Sequence, residues 1–360
     1  MKEAVYIGRY NGIIGGIERY MQKSAELLRA HDFRVHYLYT ENGGREQERF
    51  CSSFDSVSQL SAGNVLLESA HIIIIHNIIP GEFLKEIPAE KSFFFAHDHN
   101  IYCRRHHYYT PLGRINCHRK YNKFICGLCS LGRNEAPPLE EYRKFTALVL
   151  SDFMAENLRK NGFEKVVKLP AFIKTSADER PFMPEGVLRI LFLGQLIRGK
   201  GADLMLKALA QLDISFACTI AGEGNDRPML EKMVLDHNLQ DKVKFTGFVK
   251  EPETLWTNCD LFFFPVRWQE PFGLVCLEAM AHGVPVAAFD LGGVREYLNE
   301  ECACLIPEKD IDAAVRILKT QAAQPETLKQ LGKNGLQLVR EKFTEEKFVS
   351  AFTLLSEVLK

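Results

Sequence analysis

Short apolar runs alternate with amphipathic stretches along the first half of the chain. Val5-Tyr-Ile7, Val35 to Tyr39, Ile72 to Ile75, Phe93 to Ala96 and Ala147 to Leu150 read as strands, and Ile17 to Arg29 reads as a helix. Strands in this alternation predict a parallel sheet covered on both faces. The rhythm restarts at Arg189-Ile-Leu-Phe-Leu193 and runs through Phe216 to Ile220, Val243-Lys-Phe245, Leu261 to Phe264 and Val286-Ala-Ala288, so a second α/β domain follows the first. Between the two series, Leu169 to Pro184 holds three prolines among polar residues and reads as the linker. Phe348, Phe352, Leu355 and Leu359 recur at helical spacing in Thr344 to Lys360, which suits a closing helix. The expected organisation is therefore a first domain over 1–170, a second over 171–340, and a helix over 341–360 free to pack back on the first.

At 360 residues, with 46% hydrophobic and 25% charged positions, the chain is long enough for two cores. A formal charge of -1 gives no global attraction to nucleic acid or acidic membranes, so an anionic partner needs a local basic patch. Met1 to Gly8 enters strand-like sequence without the features of a signal peptide. Ile72 to Ile75 falls far short of the roughly 20 apolar residues that span a bilayer. The expected location is the cytoplasm, with any membrane contact peripheral.

In doubly wound sheets, ligands gather beyond the carboxyl ends of the strands. Glu270-Pro-Phe-Gly-Leu-Val-Cys-Leu-Glu278-Ala-Met-Ala-His-Gly-Val-Pro285 follows the strand at Leu261 to Phe264 and reads as loop, then helix. Gly273 permits close backbone approach, and the helix start offers N–H groups and a positive dipole end to a diphosphate. Were the whole span helical, Glu270 and Glu278 would stand roughly 12 Å apart. That is too far for the pair of about 5 Å that a retaining glycosidase needs. Two separate hydroxyl-binding roles fit better. Phe192-Leu-Gly-Gln195-Leu-Ile-Arg198-Gly-Lys200-Gly201 is a second strand-to-helix turn whose glycines and cations suit a diphosphate.

The Glu270-to-Glu278 spacing, with Pro-Phe-Gly-Leu and Glu-Ala-Met inside it, resembles the donor motif of family-four retaining glycosyltransferases, the glycosyl transferases group 1. The resemblance implies an α/β GT-B fold: two Rossmann-like doubly wound domains facing each other across a cleft. It implies that Glu270 meets the donor sugar, the amides of Phe272, Gly273 and Leu274 meet sugar and phosphate, and Glu278 holds the ribose. Lys200 matches a cation that the family places on the diphosphate. Gln195 stands where the family usually has Arg, and Arg198 is the neighbour that could replace that charge. Gly222 and Glu223 resemble the nucleotide-side turn, Phe248 and Val249 the segment that reads the base, Gly15 and Gly16 the N-domain glycine loop, and His97 the histidine beside the reacting sugar. The plain structural readings, from tight turns and a solvated basic loop to a buried histidine, stay open beside each of these.

The resemblance further implies transfer of a sugar from a nucleotide diphosphate sugar to a hydroxyl acceptor, glycan or lipid-linked, in surface polysaccharide or glycolipid synthesis. No catalytic metal is expected. A nucleotide-sugar epimerase on the same fold, or a silent glycan-binding or partner subunit, are the alternatives.

Cys103, Cys117, Cys126 and Cys129 crowd one segment of a chain with ten cysteines. Four thiolates there could hold a structural zinc, with His106, His107 and His118 as substitute ligands; an iron–sulfur centre, a redox pair and reduced thiols also remain open. A Cys-rich insert in the N-terminal domain also marks a subset of the resembling family. Arg104, Arg105, Arg114, Arg119, Lys120, Lys123 and Arg133 fill the same region with no acid between His99 and Asn134, so this is the local basic patch. It suits a phosphorylated lipid carrier, an anionic glycan or a membrane surface; no recognition motif points to nucleic acid.

Overall fold

The computed structural model describes residues 1–105, 108–110, 115–130, 138–175 and 186–358. It separates into two compact units, Met1–Phe172 with Glu345–Lys360, and Ile173–Thr344.

Unit 1 is built on a seven-stranded sheet: β1 (Lys2–Tyr10), β2 (Phe33–Glu41), β3 (Ser56–Gln59), β4 (Ile72–Ile75), β5 (Ser92–Phe95), β6 (Thr146–Val149) and β7 (Val166–Lys168). Their order is β3-β2-β1-β4-β5-β6-β7, and every neighbouring pair is parallel. The unbroken isoleucines of β4 and the Ser-Phe-Phe-Phe of β5 are buried on both faces, as central parallel strands require. β1 turns into the helix Gly16–Arg29, whose buried Tyr20, Met21, Ala25 and Leu28 share one face.

Unit 1 is completed from the far end of the chain. The helix Glu345–Val358 buries Phe348 and Phe352, which meet Phe172 at 4.4 Å and Phe33 at 5.4 Å between ring centroids. Lys2 Nζ donates to Ser356 Oγ at 3.0 Å and pairs with Glu357 at 2.8 Å. Leu359, the last residue of the expected apolar stripe, lies outside the described residues.

Unit 2 repeats the plan with β8 (Leu188–Leu193), β9 (Phe216–Ala221), β10 (Val243–Gly247), β11 (Leu261–Phe264), β12 (Val286–Phe289) and β13 (Ala303–Ile306). The order is β10-β9-β8-β11-β12-β13, again all parallel. In both sheets the strand order reverses beside the first strand, at β1/β4 and at β8/β11. These switch points are where open α/β sheets form ligand crevices beyond their carboxyl ends. Among the described residues no helix is long and apolar enough to cross a membrane.

Candidate functional site

In unit 2 the loops after β8 and β11 meet at the switch point. Lys200, in the turn after β8, places Nζ 2.9 Å from Glu270 Oε2 in the loop after β11. Trp268 donates its indole N–H to the same oxygen at 3.0 Å. Lys200 Nζ also stands 5.0 Å from the centre of the Trp268 ring and 5.9 Å from that of Phe264. Both side chains of the ion pair stay partly exposed, 23% for Lys200 and 14% for Glu270, so ligand can reach them.

The indole needs Gly199. A side-chain carbon built there would stand 1.6 Å from the Trp268 ring, and Arg267 N–H donates to Gly199 O at 3.0 Å. Arg198 points to a different duty: it lies 3.0 Å from Asp203, and the buried Arg267 grips the same carboxylate at 2.7 and 2.8 Å. Asp203 and Arg267 are 2% and 3% exposed, so this pair ties the Ala202–Leu209 helix to the β11 loop. Lys200 is thus the cation beside Glu270, while Arg198 is engaged next door.

Gly273 caps the helix Leu274–Ala281 at φ +84°, a left-handed conformation that favours glycine, and no side chain caps the first amides. Tyr297 holds this turn from beneath, donating toward the carbonyls of Phe272 at 2.9 Å and Gly273 at 2.8 Å. Burial pushes the Tyr297 phenol well up, so it stays a donor. Glu278 lies half-buried within that helix. The other turns line up alongside: Gly222 N–H donates to Gly247 O at 2.8 Å, and Glu223 O accepts from Leu196 N–H at 2.9 Å. Phe248 and Val249 follow β10 half-buried, and Gln195 is exposed.

In unit 1, Gly15 and Gly16 open the helix after β1; nothing stands within 4 Å of a carbon built on Gly16. Glu18 folds back to accept the Gly15 N–H at 2.9 Å, fixing the loop. His97 follows β5 and stacks on Phe95 with centroids 4.2 Å apart. Its Nε2 lies 2.9 Å from Nδ1 of His76, the residue after β4, and Tyr20 reaches it from the glycine-loop helix at 5.3 Å between rings. Burial pushes His97 down to about 3 and His76 well below its ordinary value, so both imidazoles are neutral and one proton is shared between them. Among the described residues, the buried His76 Nε2 and Tyr20 hydroxyl have no hydrogen-bond partner.

The four clustered cysteines sit in unit 1. Cys103 and Cys117 pack against its core, and Cys126 Sγ accepts from Asn122 N–H at 3.4 Å. Among the described residues no group of three or more His, Cys, Asp or Glu is arranged to hold a metal ion. None of the ten cysteines forms a disulfide. His106 and His107, as well as Arg114 and Arg133, lie outside the described residues, and His118 is exposed.

Trp268, Tyr297, the Asp203–Arg267 pair and His76 were not singled out by sequence reasoning. Trp268 alone carried a signal, being one of two tryptophans and two positions before Glu270.

Two all-parallel α/β units with clustered groups beyond their strand ends define the GT-B fold. Over its length the chain resembles the crystal structure of Anabaena HepE in complex with UDP and glucose, with TM-score 0.77, 16% identity and coverage of 99% of this chain and 100% of that one. Residues 174–338, most of the second unit, match the family model for glycosyl transferases group 1. Among curated relatives, it is 28% identical over 218 residues to the uncharacterized glycosyltransferase YqgM of Bacillus subtilis, covering 58% of this chain and 60% of that protein. It is 28% identical over 201 residues to the lipopolysaccharide core biosynthesis mannosyltransferase LpsB of Rhizobium meliloti, covering 53% and 57%. The chain therefore spans less than two thirds of the length of these relatives.

Proposed function

We propose that the protein is a retaining glycosyltransferase that moves a sugar from a nucleotide diphosphate sugar to a hydroxyl acceptor in surface polysaccharide or glycolipid synthesis. The observation that carries this reading is the Lys200–Glu270 pair at the β8/β11 switch point, inside the region matched by the family. UDP and glucose in HepE, and the lipopolysaccharide role named for LpsB, support the donor class and the setting.

Lys200 and the uncapped amides after Gly273 supply positive charge where a leaving diphosphate gains negative charge. Glu270, oriented by Trp268, accepts hydroxyls of the donor sugar, and Glu278 accepts those of the ribose. Gly222, Glu223, Phe248 and Val249 face the nucleotide. The resemblance assigns the glycine loop at Gly15 and Gly16 to the donor phosphate and neutral His97 to the reacting sugar. Same-face attack retains the anomeric configuration, with the leaving phosphate taking the acceptor's proton. No step in this scheme calls for a metal ion.

Binding separates the two main roles. Lys200→Ala weakens free nucleoside diphosphate by about tenfold or more, the loss of a charge-assisted contact. Glu270→Ala leaves diphosphate binding within about threefold of wild type, because a hydroxyl acceptor makes no contact with phosphate. Calorimetric titration with UDP, GDP and ADP checks this, and equal weakening in both variants would overturn the assignment.

A further inference from the structure

The helix Lys123–Ser130 is turned the opposite way from an ordinary surface helix. Phe124 is 76% exposed, Leu128 63% and Ile125 44%, whereas Cys126, Cys129 and Ser130 on its other side are shielded. Positions 124, 125 and 128 share one helical face, the stripe that a soluble protein normally turns inward. Ile115, 60% exposed, adds a fourth apolar side chain from the preceding strand-like segment. The helix is nonetheless firmly built. Asn122 Oδ1 accepts from Phe124 N–H at 3.0 Å and Ile125 N–H at 2.9 Å, and Tyr121 N–H donates to Asn161 Oδ1 at 2.7 Å in the body of unit 1.

The segment that carries this face, residues 99 to 134, has charges of one sign. Arg119, Lys120 and Lys123 are exposed beside it, and the Arg104 guanidinium reaches Gly127 on the helix itself, with 3.7 Å between Nη1 and a carbon built on that glycine. The sequence from 99 to 134 contains seven of the chain's 45 Lys and Arg and none of its 46 Asp and Glu, so the remainder carries a net charge of -8. A second copy docked through the same face would set these cations against their own kind. Exposed Phe, Ile and Leu on a segment rich in cations and free of acids are the chemistry of an interfacial helix on an anionic bilayer.

We propose that the Lys123–Ser130 helix and its flanking cations form a docking surface for anionic phospholipid, with Phe124, Ile125 and Leu128 entering the boundary between headgroups and acyl chains. This goes beyond the transfer reading and stands whether or not that reading does, since it uses none of the residues assigned to the donor.

The test is co-sedimentation of the full chain with vesicles of phosphatidylcholine alone and of phosphatidylcholine mixed equally with phosphatidylglycerol. The protein sediments with the anionic vesicles and not with the neutral ones, and the binding weakens as salt is raised. Phe124→Ser combined with Leu128→Ser costs about tenfold or more in vesicle affinity. Replacing Arg119, Lys120 and Lys123 by Ser costs about fivefold for each cation. Both variants keep the wild-type melting temperature, because the altered side chains stand in solvent. Should either melt early, Phe124→Trp supplies an independent readout. Both native tryptophans are buried, so a blue shift on adding anionic vesicles reports insertion at position 124. Absence of that shift, or vesicle binding indifferent to the Phe124 and Leu128 changes, overturns the proposal. So does a dimer that the apolar variant dissolves without any effect of lipid. Binding to dextran sulfate that depends on the cations alone, without binding to vesicles, would assign the patch to a soluble anionic glycan instead.

Discussion

Glu270 receives two donors on one oxygen, Lys200 at 2.9 Å and the Trp268 indole at 3.0 Å, so its orientation is set before any sugar arrives. Such preorganisation gives a charged side chain its catalytic effect, because no reorganisation is needed during reaction. Lys200→Ala is therefore expected to lower kcat by about 10²- to 10³-fold in a transfer assay, the usual cost of one charge-stabilising group. In unit 1 the hydrogen-bonded pair of buried His76 and half-buried His97 makes a separate prediction about stability. Both folded-state values are depressed, His97 to about 3, whereas an unfolded histidine titrates near its ordinary value of 6.5. Between those values the unfolded chain binds protons that the folded chain refuses, so stability falls as pH drops below about 6.5. Each histidine contributes a slope of up to about 1.4 kcal/mol per pH unit. Urea titrations at pH 7.5 and 5.5 check this, and His76→Asn with His97→Asn should flatten the difference.

The strand-to-helix turns are where single residues become a site. Gly199 is the clearest case, because the Trp268 ring occupies the space that a side chain would take. Gly199→Ala should displace the indole, release Glu270 and lower kcat/KM with a change in tryptophan emission; unchanged emission and turnover would contradict the packing argument. Tyr297→Phe removes the hydroxyl that holds the Phe272 and Gly273 carbonyls, and should cost about 1–3 kcal/mol by chemical denaturation while raising KM for the donor. The sequence made the central strands and the helix Gly16–Arg29 legible because buried parallel strands read as unbroken apolar runs. It did not reveal β3, β7 or β13, all at sheet edges. β3 exposes three of its four residues and β7 two of three, so neither carries the apolar run of a central strand. Glu270, Lys200 and Gly273 could be picked out as candidates because local spacing carries them. Trp268, Tyr297, His76 and the Asp203–Arg267 pair are defined by contacts between distant segments, which no spacing records. The four clustered cysteines are a candidate ligand set from count and proximity in sequence, whereas coordination depends on where side chains converge, which spacing does not record.

At the scale of the molecule, the chain leaves its first unit at Phe172 and returns to it at Glu345. The returning helix covers Phe33 and Phe172 with Phe352 and Phe348, so those rings depend on the last sixteen residues for their burial. Truncation after Thr344 should therefore destabilise unit 1 selectively. Hydrogen exchange would show β1 and β2 losing protection while β8, β9 and β11 keep theirs. The central claim, that these two units transfer a sugar with retention, is tested most directly by following the anomeric proton. The purified chain is incubated with UDP-, GDP- and ADP-sugars and a cell-lipid or glycan acceptor fraction, and the product is read by NMR. An acceptor-dependent product that keeps the anomeric configuration of the donor, and disappears in Glu270→Ala, is the predicted result. Inversion at the anomeric carbon, or isomerised nucleotide sugar formed without any acceptor, would contradict it.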